Sequence, residues 1–137
     1  MPWTCPKCKR SFKNKNQSHS CVRINPDDHF VGKDPRVKRV YDALLREVGR
    51  FGPVDVSPVR IGIMLKGAST FLAVKPKQKW IDIEFALDEP IEEYPVHKTV
   101  QYAKGRWAHF IRLEHPKDVT KKLVGWLKRS YILTAGR

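Results

Sequence analysis

Four residues near the start of the chain have the types and the spacing of a zinc site. Cys5, Cys8, His19 and Cys21 form the pattern C-x2-C-x10-H-x-C and include every cysteine of the 137-residue chain. Zinc takes four sulfur or nitrogen ligands in a tetrahedron, so three thiolates and one imidazole leave no open position for a substrate. The pattern therefore predicts a structural Zn²⁺ ion. His29 is the alternative fourth ligand, because only one residue separates His19 from Cys21.

Basic residues surround the first two cysteines of this pattern. They are Lys7, Lys9, Arg10, Lys13 and Lys15. Three thiolates and a neutral imidazole give a zinc site a net negative charge, and nearby cations stabilise it. The same cations can contact phosphates, which makes them candidate nucleic-acid-binding residues. Because a module this small has no core of its own, zinc would supply most of its folding free energy. The alternative is that the cysteines are ordinary thiols in a basic tail.

The composition is that of a basic globular protein. The chain has 27 Lys and Arg against 14 Asp and Glu, for a net charge of +13, and 41% of its residues are hydrophobic. Such a charge attracts phosphate-rich polymers, although lysine also serves simply as a surface residue. We find no apolar run of membrane-spanning length and no signal-peptide pattern, so we expect a cytoplasmic protein without a membrane partner.

The apolar pattern predicts a helix, then strands, then a second helix. Asp34 is the expected N-cap of the first helix and Pro35 its first residue. From Val54 the apolar period becomes two, which predicts strands over residues 59–66, 70–75, 80–87, 96–103 and 106–114. A last helix follows Pro116, with Asp118 as the expected cap.

These elements predict an α+β fold in which a five-stranded, mainly antiparallel sheet is flanked by an N-terminal and a C-terminal helix. A zinc-knuckle-like module is expected at 1–26, a connector at 27–33 and the α+β domain at 34–137. Two helices suffice to cover one face of the sheet. The sequence leaves the oligomeric state open.

The opposite face of the sheet is then expected to carry mixed basic, aromatic and acidic side chains: Arg60, Met64, Lys66, Trp80, Asp82, Glu84, Arg106, Phe110 and Arg112. Aromatic and basic side chains on an open sheet can stack bases and pair with phosphates, so the three arginines join the candidate nucleic-acid-binding residues. Asp82 and Glu84 allow another interpretation, cross-strand ion pairs on a solvated face.

Nucleic acid is the leading predicted partner, with two alternatives. One is a protein-interaction adaptor that uses the N-terminal module or the acidic segment 88–95. The other is a small metal-dependent hydrolase or nuclease centred on Asp82, Glu84 and His109, which would have to converge in a pocket. His109 falls on the apolar side of its strand, where a hydrogen-bonded core histidine is expected. Catalytic motifs such as a nucleophile elbow or a phosphate-binding glycine loop do not occur, so we assign no enzymatic activity.

Several stretches resemble a known family. Trp3-x-Cys5-Pro6-x-Cys8-x-Arg10-x-Phe12, then residues 16–21 and His29-Phe30, are similar to the leader of bacterial proteins that carry a domain of unknown function, DUF5655. The stretches 59–71, 80–87 and 106–113 and the closing helix to Tyr131 resemble that domain's body. The resemblance implies an α+β domain of unknown role, found in some proteins labelled predicted transport proteins, and it brings no established catalytic residues.

Overall fold

Two helices pack on one face of an antiparallel sheet of six strands. A computed structural model of the chain describes residues 3–4, 11–12 and 26–136. The predicted α+β fold, with an antiparallel sheet and two helices, is confirmed. The predicted number of strands is wrong, because the sheet has six and not five.

The sheet contains β3 (Asp55–Val59), β4 (Gly62–Lys66), β5 (Thr70–Pro76), β6 (Ile81–Leu87), β7 (Val96–Ala103) and β8 (Arg106–Leu113). Their order is β3-β4-β5-β6-β8-β7, so β8 lies between β6 and β7. The segment 88–95 leads from β6 to β7, which lies at the edge of the sheet and does not pair with β6. The chain then turns back as β8, which fills the place between β6 and β7. Near the N-terminus, β1 (Trp3–Thr4) and β2 (Ser11–Phe12) form a separate two-stranded sheet.

The first helix, α1 (Pro35–Val48), begins where the sequence predicts. The Asp34 carboxylate accepts a hydrogen bond of 2.9 Å from the Arg36 backbone N–H, which satisfies a donor that has no partner inside the helix. Pro35, at the first helical position, has no backbone N–H that would need a partner, and its ring fixes φ near the value of an α-helix. The helix buries an apolar stripe at helical spacing: Val37, Val40, Tyr41, Leu44 and Val48.

The strand predicted over residues 59–66 is in fact two strands and a tight turn. β3 and β4 pair with Val59 opposite Gly62, so Arg60 and Ile61 form the turn between them. Ile61 belongs to the apolar side of the alternating pattern, which predicts burial, but in the turn it is 73% exposed. Because apolar and polar residues keep alternating through the turn, the sequence pattern does not indicate that the strand ends there. Gly62 is required there, because a Cβ atom would collide with the carbonyl oxygen of Val74 on β5.

The second helix, α2 (Lys121–Gly136), begins after the predicted cap residue. Asp118 instead closes a short 3-10 helix, Pro116–Asp118. Thr120 caps α2, since its Oγ1 accepts a hydrogen bond of 3.2 Å from the Leu123 backbone N–H.

A single core lies between the helices and the inward face of the sheet, with contributions from α1, α2, β4, β5, β6 and β8. The buried Ser130 joins α2 to two strands, because its Oγ donates to the Phe71 carbonyl (2.8 Å) and accepts from the Ala86 N–H (3.3 Å). The 3-10 helix Pro26–Phe30 spans the predicted boundary between the N-terminal module and the connector, and the Phe30 ring lies 5.1 Å from the Tyr41 ring. Neither helix in the described ranges is both long and apolar enough to cross a bilayer.

Candidate functional site

The face of the sheet opposite α1 and α2 is covered by neither helix. Side chains that point to the helices are buried, whereas most of those that point away are partly exposed. We call the second surface the open face. It consists of Met64, Ala73, Lys75, Asp82, Glu84, Ala86, Lys98, Val100, Ala108, Phe110 and Arg112, with Trp80 and Tyr102 at its borders.

Two aromatic rings of the open face each lie beside a cation. The guanidinium carbon of Arg112 is 4.2 Å from the centre of the Trp80 ring. The Lys98 Nζ atom is 5.2 Å from the centre of the Phe110 ring. Cations at these distances are attracted to the ring face. The open face therefore carries two aromatic rings, each with a cation over the ring.

The two acidic residues of the open face are paired with cations. Asp82 Oδ1 lies 3.7 Å from the Arg112 Nε atom, and Glu84 Oε1 lies 3.8 Å from the Lys75 Nζ atom. The Asp82–Arg112 pair is a cross-strand ion pair that the sequence left as an alternative, whereas Glu84 pairs with Lys75 and not with one of the three predicted arginines. Because the four side chains are each at least one-third exposed, solvent screens the pairs and each contributes at most about 1 kcal/mol.

Small side chains leave a groove in the middle of the open face. Ala73, Ala86 and Ala108 line it, and Met64 and Tyr102 border it. The groove has a volume of about 330 Å³. Its apolar floor suits a planar, uncharged group such as a nucleobase.

The three arginines predicted as nucleic-acid contacts do not form one cluster. Arg112 lies on the open face, and Arg60 lies in the turn that precedes β4, at the same end of the sheet. Arg106 begins β8 at the opposite end, where its Nη1 donates to the Gly105 carbonyl at 2.9 Å. The remaining predicted contacts and metal ligands lie outside the described residues: Cys5, Lys7, Cys8, Lys9, Arg10, Lys13, Lys15, His19 and Cys21.

Sequence reasoning did not identify Lys98 and Tyr102 as residues of the open face. β7 shifts its register against β8 between residues 96 and 98 and again between 101 and 103. A simple alternation of inward and outward side chains therefore fails along β7. The position of Lys98 opposite Phe110 shows that Lys98 joins the open face, and Tyr102 is placed there by its contact with the groove.

His109 is a fully buried residue on the inward face of β8. Its Nε2 atom accepts a hydrogen bond of 2.9 Å from the Ile91 N–H, so the proton lies on Nδ1, which donates to the Trp107 carbonyl at 3.1 Å. Asp82 and Glu84 point to the other face. The three residues of the hydrolase alternative are therefore not brought together. No other group of three or more His, Cys, Asp or Glu side chains suited to a metal occurs in the described part of the chain.

Burial makes His109 a source of pH-dependent stability. Burial lowers the pKa of His109 below its ordinary value, while hydrogen bonds to backbone at Trp107 and Phe85 oppose this shift. The neutral form is favoured in the folded state, so the unfolded chain takes up a proton first as the pH falls below the ordinary pKa of about 6.5. The stability that neutral His109 contributes is thus present at neutral pH and is lost as the pH falls toward the lowered pKa.

We therefore expect His109→Gln to flatten the pH dependence of stability. In the wild type, the free energy of unfolding should fall below about pH 6.5, with a slope of up to about 1.4 kcal/mol per pH unit from this one residue. The glutamine oxygen can still accept from the Ile91 N–H, but it does not titrate. Urea unfolding of both proteins between about pH 5 and pH 7.5 measures the difference. Equal slopes in the two proteins would contradict the prediction.

Residues 26–134 match the family model described as domain of unknown function (DUF5655). The chain belongs to the DUF5655 family. The match covers α1, the six-stranded sheet and nearly all of α2, so the open face lies on the DUF5655 domain itself. It begins at residue 26, after Cys5, Cys8, His19 and Cys21, and it includes the alternative ligand His29. No curated protein and no solved structure matched the chain.

Proposed function

We propose that this DUF5655 protein binds single-stranded nucleic acid on the open face. The observation that carries the proposal is the pairing of Trp80 with Arg112, and of Phe110 with Lys98, on a sheet face that neither α1 nor α2 covers. Unpaired bases stack on aromatic rings, and cations beside the rings attract the phosphates that follow each base. The apolar groove lined by Ala73, Ala86 and Ala108 offers room for a further base.

The geometry favours a single strand over a duplex. A flat sheet can stack a base only when the face of that base is exposed, and in a duplex both faces are covered by neighbouring base pairs. Double-stranded RNA is instead recognised through its backbone and groove shape. The aromatic residues of the open face would have no role in that mode.

The N-terminal segment would add a structural zinc site and further phosphate contacts. In this proposal Cys5, Cys8, His19 and Cys21 bind one Zn²⁺ ion. β1 and β2 pair as an antiparallel hairpin, and the sequence between them contains Cys5 and Cys8. This supports the proposal, because a C-x2-C metal turn requires the two ends of the segment to lie together. The buried Nε2 atom of His29 has no hydrogen-bond partner among the described residues, so His29 remains the alternative ligand.

Most of the electrostatic attraction would come from this N-terminal segment. Asp82 and Glu84 offset part of the positive charge of the open face. By contrast, residues 1–25 contain no Asp or Glu and carry Lys7, Lys9, Arg10, Lys13, Lys15 and Arg23. We also propose a cytoplasmic location, since free thiolates that bind metal persist in reducing compartments.

The acidic segment 88–95 supports the adaptor alternative less well. Arg129 of α2 pairs with Glu89 at 2.7 Å and with Asp88 at 3.3 Å. Lys122 pairs with Glu93 at 3.0 Å. The segment is thus held against α2 by its own carboxylates, which are then less available to a basic protein partner.

A salt titration tests the proposed function. If about four phosphates are neutralised, raising the salt from about 50 to about 200 mM should weaken binding to a single strand about fifty-fold. Fluorescence anisotropy with a labelled oligothymidylate measures this, with a duplex of the same length as the comparison. A flat salt response, or tighter binding to the duplex than to the single strand, would contradict the proposal.

A further inference from the structure

A second concave site adjoins the open face. It lies where β8 ends, β7 begins and α2 starts, and it has a volume of about 660 Å³. This volume is within the range of about 300 to 1,000 Å³ that small-ligand sites usually have. Its lining includes Tyr94, His97, Arg112, Glu114 and Lys122. Arg112 belongs both to this cleft and to the open face, so the two sites are continuous.

The cleft offers an exposed aromatic ring and several exposed polar groups. Tyr94 is 91% exposed, and its ring stacks on no other ring of the described residues. Arg112 uses only its Nε atom in the pair with Asp82, so its two terminal nitrogens are available to a ligand. Lys122 lies in the first turn of α2 and is about half exposed in its pair with Glu93. His97 is also exposed.

The two carboxylates that line the cleft differ in availability. Asp118 Oδ2 accepts hydrogen bonds from the backbone N–H groups of Glu114 and His115, both at 2.9 Å, so the local chain turn already uses this group. The Glu114 carboxylate makes no ion pair or hydrogen bond within the described ranges and is exposed. The cleft therefore contains two cations that each already pair with one carboxylate, together with an exposed imidazole, an exposed phenol ring and the Glu114 carboxylate.

We propose that this cleft binds a nucleoside 5′-monophosphate unit, either free or at the end of a strand. The Tyr94 ring stacks on the base, Arg112 and Lys122 contact the terminal phosphate, and Glu114 accepts hydrogen bonds from sugar hydroxyls or base amino groups. A terminal phosphate monoester carries about 1.5 to 2 negative charges, which suits two cations better than the single charge of an internal phosphate. The strand-end form rests on the proposed function, whereas the free-nucleotide form does not.

The test uses adenosine 5′-monophosphate as the probe and the full-length chain. We expect saturable binding in titration calorimetry, weakened about tenfold by Tyr94→Ala and by Lys122→Ala. Tyr94→Phe keeps the ring and should keep the affinity. Lys128→Ala removes another exposed cation of α2 that does not line the cleft, and it should bind as the wild type does.

Oligonucleotides with and without a 5′-phosphate separate the two sources of the ligand. Tighter binding of the phosphorylated oligonucleotide, lost in Lys122→Ala, would support a strand end as the ligand. Binding of the free nucleotide without any such preference would support the free form only. No saturable binding of the nucleotide together with no preference for the 5′-phosphate would overturn the proposal, even if the oligonucleotide still bound the open face. Equal nucleotide affinity in Tyr94→Ala and Tyr94→Phe would overturn the role of the ring.

Discussion

Replacing Phe110 by alanine is expected to weaken binding to a single-stranded oligonucleotide about tenfold, and replacing Trp80 as well should bring the loss to about a hundredfold. Each ring presents a surface on which a base can stack, and each also positions a cation, Lys98 or Arg112. Removing a ring therefore removes the stacking surface and frees the neighbouring cation to move. Fluorescence anisotropy with a labelled oligothymidylate measures the change in Kd.

The structure offers a matched control for these substitutions. Ile132 is a large apolar residue on α2 that is 59% exposed, and it does not belong to the open face. Ile132→Ala should leave binding unchanged. Because Phe110 is only half-buried, Phe110→Ala should also retain the fold, which circular dichroism can verify. An oligonucleotide affinity in the double variant equal to that of Ile132→Ala would contradict a role for the rings.

Replacing Cys8 by serine is expected to abolish zinc binding. A serine hydroxyl is a poor substitute for a thiolate, and structural zinc contributes about 10 to 16 kcal/mol to the folding of comparable small modules. Elemental analysis should find one zinc ion per wild-type chain purified without added metal and almost none in the variant. The DUF5655 domain should keep its melting temperature within a few degrees, because the core of the described part of the chain begins at Phe30.

Neighbouring substitutions make the zinc experiment specific. Ser18→Ala changes a residue of the same segment that is not a predicted ligand, so it should retain zinc. Comparison of His19→Ala with His29→Ala identifies the fourth ligand, since only the true ligand should release the metal. Zinc-free wild-type protein, or full zinc occupancy in Cys8→Ser, would rule out the proposed site.

The elements predicted from the sequence are those with strong local signals. Asp34 and Pro35 mark the start of α1 by their own capping and backbone preferences, so no distant contact is needed to place it. Lys104 and Gly105 likewise separate β7 from β8, and Gly105 has the positive φ of 70° that such a turn favours. The turn at Arg60 and Ile61 lacks such a signal, and there the prediction is wrong.

The candidate site was predictable only where the strands keep their alternation. β8 pairs without a register shift with β6, so Phe110 and Arg112 follow directly from the period of two. Lys98 does not, because β7 contains irregularities. The cleft was also missed: Tyr94 and Lys122 are far apart in sequence and meet only through the placement of β8 and α2.

The most direct measurement of base stacking on the open face is the ratio of the Kd of Phe110→Ala to that of the wild type at two salt concentrations. Stacking depends little on salt, whereas phosphate attraction falls steeply as salt rises. We expect the ratio to be about ten at both about 50 and about 200 mM salt, while both Kd values rise together. A ratio near one at both concentrations would mean that the protein binds through charge alone, and that Phe110 and the open face are not where bases stack.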